Sequence, residues 1–140
     1  MKTVHAVVAA MLVAASVNAQ SLNEGSYFEK PSTNIDASRI ANIYTGNLSS
    51  SNQGVIESSL AHLAMMKLMI PASDLSAAQE VVAGMASNYS SPETRYKAFL
   101  ASSVISQPNM FVGMENQKYG NADEFFGEIA ATMARTYATR

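Results

Sequence analysis

The 140-residue sequence contains no cysteine and no tryptophan, and only 14% of its residues are charged. Without cysteine the chain can form no disulfide, no thiolate nucleophile, no iron–sulfur cluster and no cysteine zinc site. Its nine basic residues form no stripe that could displace counterions from phosphates, and no lysine-rich amphipathic segment could hold a membrane surface. The sequence therefore predicts a protein that is stabilised by packing and binds no nucleic acid.

The first nineteen residues have the pattern of a secretory signal peptide. Lys2 precedes an apolar run over residues 6–17, and the segment closes on Val17, Asn18 and Ala19, which suit a signal peptidase. The run is too short to span a bilayer as a helix. We therefore expect residues 1–19 to be removed, with no membrane insertion afterwards and export to the periplasm or outside the cell.

Removing nineteen of 140 residues leaves 121, enough for one domain with its own core. These carry eight basic and eleven acidic side chains, so the net charge becomes about −3. Residues 20–33 are polar and predict an extended N-terminal arm, which Tyr27 and Phe28 could anchor. Over residues 34–140 apolar side chains recur at three- and four-residue steps, which predicts a single all-α domain of about five helices.

Two prolines that end predicted helices divide this domain further. Two long predicted helices end at Pro71 and Pro108, 37 residues apart, and a shorter helix precedes each of them. Residues 34–107 therefore predict two antiparallel helix pairs and resemble the HEAT-type α-helical repeat, whose period is about 40 residues. The resemblance covers about half of the chain, rests on helix lengths and turns without a diagnostic motif, and implies a short stack that serves as a binding scaffold.

An ordinary five-helix bundle fits the same helix pattern equally well. Because helical stacks need about three repeats, two pairs would leave an open end. The fifth helix or a partner protein could cover it, and self-association of the chain is a further expectation.

The second predicted helix carries a candidate copper site. His62, Met66 and Met69 occupy positions i, i+4 and i+7 and so share one helical face. Imidazole and thioether groups are ligands that suit Cu(I). Met110 and Met114, in the connection before the last helix, could add a ligand from outside. The alternative interpretation is that these methionines only fill the core, as flexible side chains often do.

The most basic cluster is Arg95, Tyr96 and Lys97. We expect Tyr96 to point into the core and Arg95 and Lys97 to flank it on the surface. The two charges are then either simply solvated or contact an acidic partner. Asn47 and Asn88 match the N-glycosylation pattern, which has meaning only in a eukaryotic host.

The sequence shows no catalytic constellation. His62 is the only histidine after residue 19, and no carboxylate lies three or four residues from it. No local motif places a nucleophile beside a base. We therefore expect no enzyme and no required cofactor, but an exported helical module that binds a protein through a face of its second and fourth helices. A periplasmic Cu(I)-binding protein is the alternative, and a small enzyme is the third interpretation.

Overall fold

The computed structural model describes residues 26–31 and 34–140. The predicted signal peptide, residues 1–19, lies outside the described residues. Within them the chain forms helices and no strand, which confirms the all-α prediction. The five α-helices are α1 (Ala37–Asn47), α2 (Gln53–Met69), α3 (Ser76–Asn88), α4 (Pro92–Ser106) and α5 (Ala122–Ala138). Two short 3₁₀ helices, Pro108–Phe111 and Met114–Asn116, connect α4 to α5.

Polar side chains fix where four of these helices begin. Each accepts a hydrogen bond from a backbone N–H in the first turn, which would otherwise lack a partner. The capping residues are Asp36 for α1, Asn52 for α2, Ser91 for α4 and Asn121 for α5. Pro92 occupies the first position of α4, where no N–H is needed. Asn47 and Asn88, the glycosylation-like positions, are the last residues of α1 and α3.

The first four helices form two pairs, α1–α2 and α3–α4, joined within each pair by a short turn. Between the pairs, α2 packs on α4 and α1 packs on α3. The helices α2 and α4 run parallel, because Gln53 contacts Thr94 and Glu57 contacts Lys97. Equivalent helices are therefore neighbours, as in a stack of helix pairs. α5 packs on both α2 and α4 and completes an arrangement that fits a stack or a bundle.

Helix α2 lies at the centre of this arrangement. Nine of its seventeen residues are buried, and it contacts α1, α4 and α5. A helix that is apolar on nearly every side requires such surroundings. The largest fully buried side chains elsewhere are Phe111 and Phe125, which come from the connection and from α5.

A buried lysine joins three of the helices. Lys97 of α4 is only 7% exposed. Its Nζ lies 2.8 Å from Glu57 of α2, 3.0 Å from Glu93 of α4 and 2.8 Å from Asp123 of α5. Burial by itself lowers the pKa of Lys97, but hydrogen bonds to the three carboxylates outweigh burial and hold the pKa above its ordinary value. The charged ammonium therefore has three partners, of which Glu93 and Asp123 are exposed and Glu57 is largely buried.

The expected orientation of the basic cluster is wrong. Lys97 is buried, whereas Tyr96 is 54% exposed. Arg95 is half-buried, and its guanidinium donates a hydrogen bond to the backbone oxygen of Tyr89 at 2.9 Å, across the α3–α4 turn. The physical reason is that Lys97 meets carboxylates from three helices, of which only Glu93, four residues earlier, is indicated by local spacing. Contact of Arg95 with a partner stays a prediction.

Replacing Lys97 by methionine should lower the free energy of unfolding by about 2–3 kcal/mol, because the largely buried Glu57 then lies beside two other carboxylates without a cation. Urea unfolding followed by circular dichroism measures this. The control is Arg135→Met, which removes an exposed ion pair with Glu128 and should cost less than about 0.5 kcal/mol. Equal effects of the two substitutions would contradict the structural importance of Lys97.

The Lys97 contribution also has a defined pH dependence. A lysine whose pKa is raised by folding stabilises the folded state below its unfolded pKa, about 10.4, and the stabilisation is lost as pH rises through the folded value. The stability difference between wild type and Lys97→Met should therefore be constant from about pH 7 to pH 9 and shrink above about pH 10.5. A difference that grows in alkali would show that the charge of Lys97 is not its source.

Candidate functional site

A pocket of about 130 Å³ lies between the N-terminal arm, α1 and one face of α2. Its walls are mostly apolar, and the ionisable side chains among them are those of Glu29, Tyr44 and His62. The apolar and aromatic residues that form most of the wall are Phe28, Ile40, Tyr44, Met65, Met66 and Met69. A concave, mostly apolar site with a few polar groups is the usual form of a small-molecule or cofactor site.

Two aromatic residues hold the described part of the arm, residues 26–31. Phe28 is 5% exposed, and its ring centroid lies 4.8 Å from that of Phe125 and 5.0 Å from that of His62. The backbone N–H of Tyr27 donates to the backbone oxygen of Tyr119 at 2.6 Å. The expected anchoring of the arm by Tyr27 and Phe28 is confirmed, and the anchored arm closes one side of the pocket.

The imidazole of His62 is held in one orientation. Its Nδ1 lies 2.7 Å from the backbone oxygen of Ser58, so Nδ1 carries a hydrogen and donates it. The ring stacks on Tyr44, with centroids 5.0 Å apart and planes 21° apart. Burial lowers the pKa of His62, and the bond to Ser58 offsets this only in part. The ring is therefore neutral near pH 7.

A neutral ring with its hydrogen on Nδ1 has a lone pair on Nε2. Within the described residues, the hydrogen bonds of His62 involve Nδ1 and none of them involves Nε2. The serine that receives the hydrogen is itself fixed, because the hydroxyl of Tyr27 donates to Ser58 Oγ at 2.8 Å. His62, which lines the apolar pocket, thus has an acceptor nitrogen whose tautomer is fixed.

The structure brings the three predicted metal ligands together. Met66 and Met69 line the same pocket as His62, and Met65 joins them from the same helix. Met110 and Met114, the predicted outside donors, are not part of this pocket. Met110 lines a separate open pocket with Pro108 and Thr136, and the backbone oxygen of the buried Met114 accepts a hydrogen bond from the hydroxyl of Tyr119. The described residues contain no cluster of three His, Asp or Glu side chains that could hold a metal.

The sequence pattern did not indicate that Phe28 and Tyr44 would contact His62. Both residues can be identified in the sequence, Phe28 in the arm and Tyr44 four residues after Ile40 in the first helix. Their meeting depends on how the arm and α1 pack on α2, which has no local signal. Met65 follows from spacing alone, since it lies three residues after His62 and so shares its helical face.

A second candidate surface lies on α4. Tyr96 and Phe99 are 54% and 47% exposed, and their rings are stacked with centroids 6.4 Å apart. Thr94 and Lys97 mark the side of α4 that contacts α2. Tyr96 lies two positions after Thr94, and Phe99 lies two positions after Lys97. Two positions place side chains about 160° apart around a helix. Tyr96 and Phe99 therefore face away from α2.

The same face continues with uncharged residues. The hydroxyl of Ser103 donates to the backbone oxygen of Phe99 at 2.9 Å, and that of Ser106 donates to the backbone oxygen of Ser102 at 2.8 Å. The serines thus have hydrogen-bond partners within their own helix. We refer to Tyr96, Phe99, Ser103 and Ser106 together as the α4 face.

Comparison of the chain with protein-family models, with curated proteins and with solved structures finds no match. Among the helices described for this chain, none is long and apolar enough to cross a membrane.

Replacing Phe28 by alanine should lower the free energy of unfolding by about 3–4 kcal/mol, because it empties the space between His62 and Phe125. The arm should then detach, and the amide hydrogen of Tyr27 should lose its protection against hydrogen exchange. The control is Val112→Ala at a 75% exposed side chain, with an expected change below about 0.5 kcal/mol. Protection retained at Tyr27 would mean that the arm does not depend on Phe28.

Proposed function

We propose that the protein is an exported, non-enzymatic helical module whose α4 face binds a helical segment of a partner protein. The observation that carries this proposal is the exposed, stacked pair of Tyr96 and Phe99. Aromatic side chains present a large apolar area at a small entropic cost, and tyrosine is enriched among the residues that dominate binding energy. The pair gives the α4 face an anchor that a partner can bury.

The position of the pair favours a helical partner. In a stack of helix pairs, each pair packs on the next through equivalent helices, as α2 packs on α4 here. A further pair would pack on the opposite side of α4, where Tyr96 and Phe99 lie. Terminal repeats of such stacks usually carry a polar outer face. The α4 face has two aromatic rings instead, so a partner helix with aliphatic side chains would bury them as a third pair would.

Two groups that catalysis could use, the Ser58 hydroxyl beside His62 Nδ1 and the Lys97 ammonium, are already engaged, which supports binding over an enzymatic role. Ser58 Oγ lies 3.4 Å from His62 Nδ1, close enough to suggest a nucleophile and its base. However, Nδ1 donates its hydrogen to the backbone oxygen of Ser58 and so cannot take a proton from that hydroxyl. The ammonium of Lys97 is bonded to three carboxylates.

Cross-linking in the host tests the α4 face. A photoreactive phenylalanine analogue at position 99 should cross-link to one protein, whereas the analogue at position 112, a 75% exposed control site, should not. The captured protein is then purified, because capture alone does not define an interface. Its affinity should be at least about tenfold weaker for Tyr96→Ser/Phe99→Ser and unchanged for Val112→Ser, measured by calorimetry.

Three outcomes would overturn this proposal. One is equal affinity of the captured protein for both variants, and another is capture from both positions. The third is a cross-link between two copies of this chain, which would make the α4 face a site of self-association. Because Tyr96 and Phe99 are exposed, the double variant should keep its helical content, which circular dichroism checks.

The proposed export has its own test. Protein isolated from the exported fraction of its host should have the intact mass of a chain that begins at Gln20. We expect this mass because a signal peptidase would cleave the chain after Ala19. A mass that includes residues 1–19 would contradict the predicted signal peptide without bearing on the α4 face.

A further inference from the structure

The pocket beside α2 contains a set of donor atoms that a partner on the α4 face would not use. We propose that this pocket is a Cu(I) site in which His62 Nε2, Met66 Sδ and Met69 Sδ bind the ion. The inference goes beyond the proposed function, because the pocket lies against α1 and the arm rather than on the α4 face.

The three donor residues lie on one face of α2. His62, Met66 and Met69 lie on consecutive turns of α2 at i, i+4 and i+7, and all three line one pocket. They belong to α2, nine of whose seventeen residues are buried, so the donors are placed by a well-packed helix. Met66 is 8% exposed, which keeps the thioether out of bulk water.

The orientation of His62 supplies the second argument. Histidines that bind metals nearly always donate their other ring hydrogen to a carbonyl or carboxylate, which fixes the tautomer. Here Nδ1 donates to the backbone oxygen of Ser58 at 2.7 Å, and Tyr44 stacks on the ring. None of the hydrogen bonds of His62 within the described residues involves Nε2, so its lone pair is available to a ligand. A metal ion in the pocket that His62 lines could use that lone pair.

The chemistry of the donors selects the ion. Thioether sulfur is a soft ligand that favours Cu(I), and imidazole also binds copper. Calcium and magnesium need several oxygen ligands, and structural zinc sites use thiolate, imidazole or carboxylate groups. The chain has no cysteine, so methionine supplies its soft sulfur ligands and histidine its imidazole ligand. An apolar pocket of about 130 Å³ is large enough for a monovalent ion held by such neutral donors.

Titration of the purified full chain with Cu(I), without oxygen and in competition with the chelator bicinchoninate, tests the site. We expect one strongly bound ion per chain. Met66→Leu/Met69→Leu should bind at least tenfold more weakly and keep its melting temperature within a few degrees, since leucine and methionine have similar volumes. The matched control, Met110→Leu/Met133→Leu, removes two methionines outside the pocket and should bind as wild type does. Equal affinity of the two double variants would overturn the proposal.

The wild-type protein gives an independent measurement in case the pocket variant fails to fold. Ag(I), a soft ion that is not oxidised in air, should shift the ¹³C-methyl NMR signals of Met66 and Met69 and leave those of Met110 and Met133 in place. Shifts confined to methionines outside the pocket, including Met1 and Met11, would overturn the assignment. The variant Tyr96→Ser/Phe99→Ser should bind Cu(I) as wild type does, so the metal site and the α4 face can fail separately.

Discussion

Burial of α2 is the constraint on which the rest of the fold depends. This helix is apolar on nearly every side, so a single neighbour cannot cover it. The arm, α1, α4 and α5 each cover a part of its surface, and the arm and α1 leave the small pocket between them. Hydrophobic burial has little directional preference. Lys97 helps to fix how the helices are oriented, because its ammonium contacts carboxylates of α2, α4 and α5 at once.

The helices were predictable because their signals are local. Ser91 with Pro92 indicates the start of α4, and the three-to-four-residue recurrence of apolar side chains indicates the number of helices. Orientation was not predictable to the same extent. In the last helix, Tyr137 follows Met133 by four residues, as an apolar stripe requires, and is nevertheless 52% exposed, whereas Phe125 is fully buried. Where a helix has more apolar residues than its neighbours can cover, packing decides which of them point inward.

The candidate pocket, too, was predictable only where its features are local in sequence. The common face of His62, Met66 and Met69 follows from spacing, because the α-helix fixes the geometry between turns. The hydrogen bond from His62 to Ser58, four residues earlier, is also local. The aromatic wall is not local, since Phe28 comes from the arm. Spacing could therefore indicate donor atoms, whereas the aromatic side of the pocket depended on contacts distant in sequence.

The attachment of the arm has a consequence for the order in which the protein folds. Tyr27 bonds to Tyr119, and Phe28 packs on Phe125, so each contact joins residues more than ninety positions apart. Closing so long a loop is slow compared with forming a helix pair. During synthesis from the N-terminus, the arm can contact Ser58 and His62 once α2 has been made, but it cannot complete its docking until the start of α5 has followed. The first segment of the fold to be made thus gains its last contacts only when the final helix begins to form.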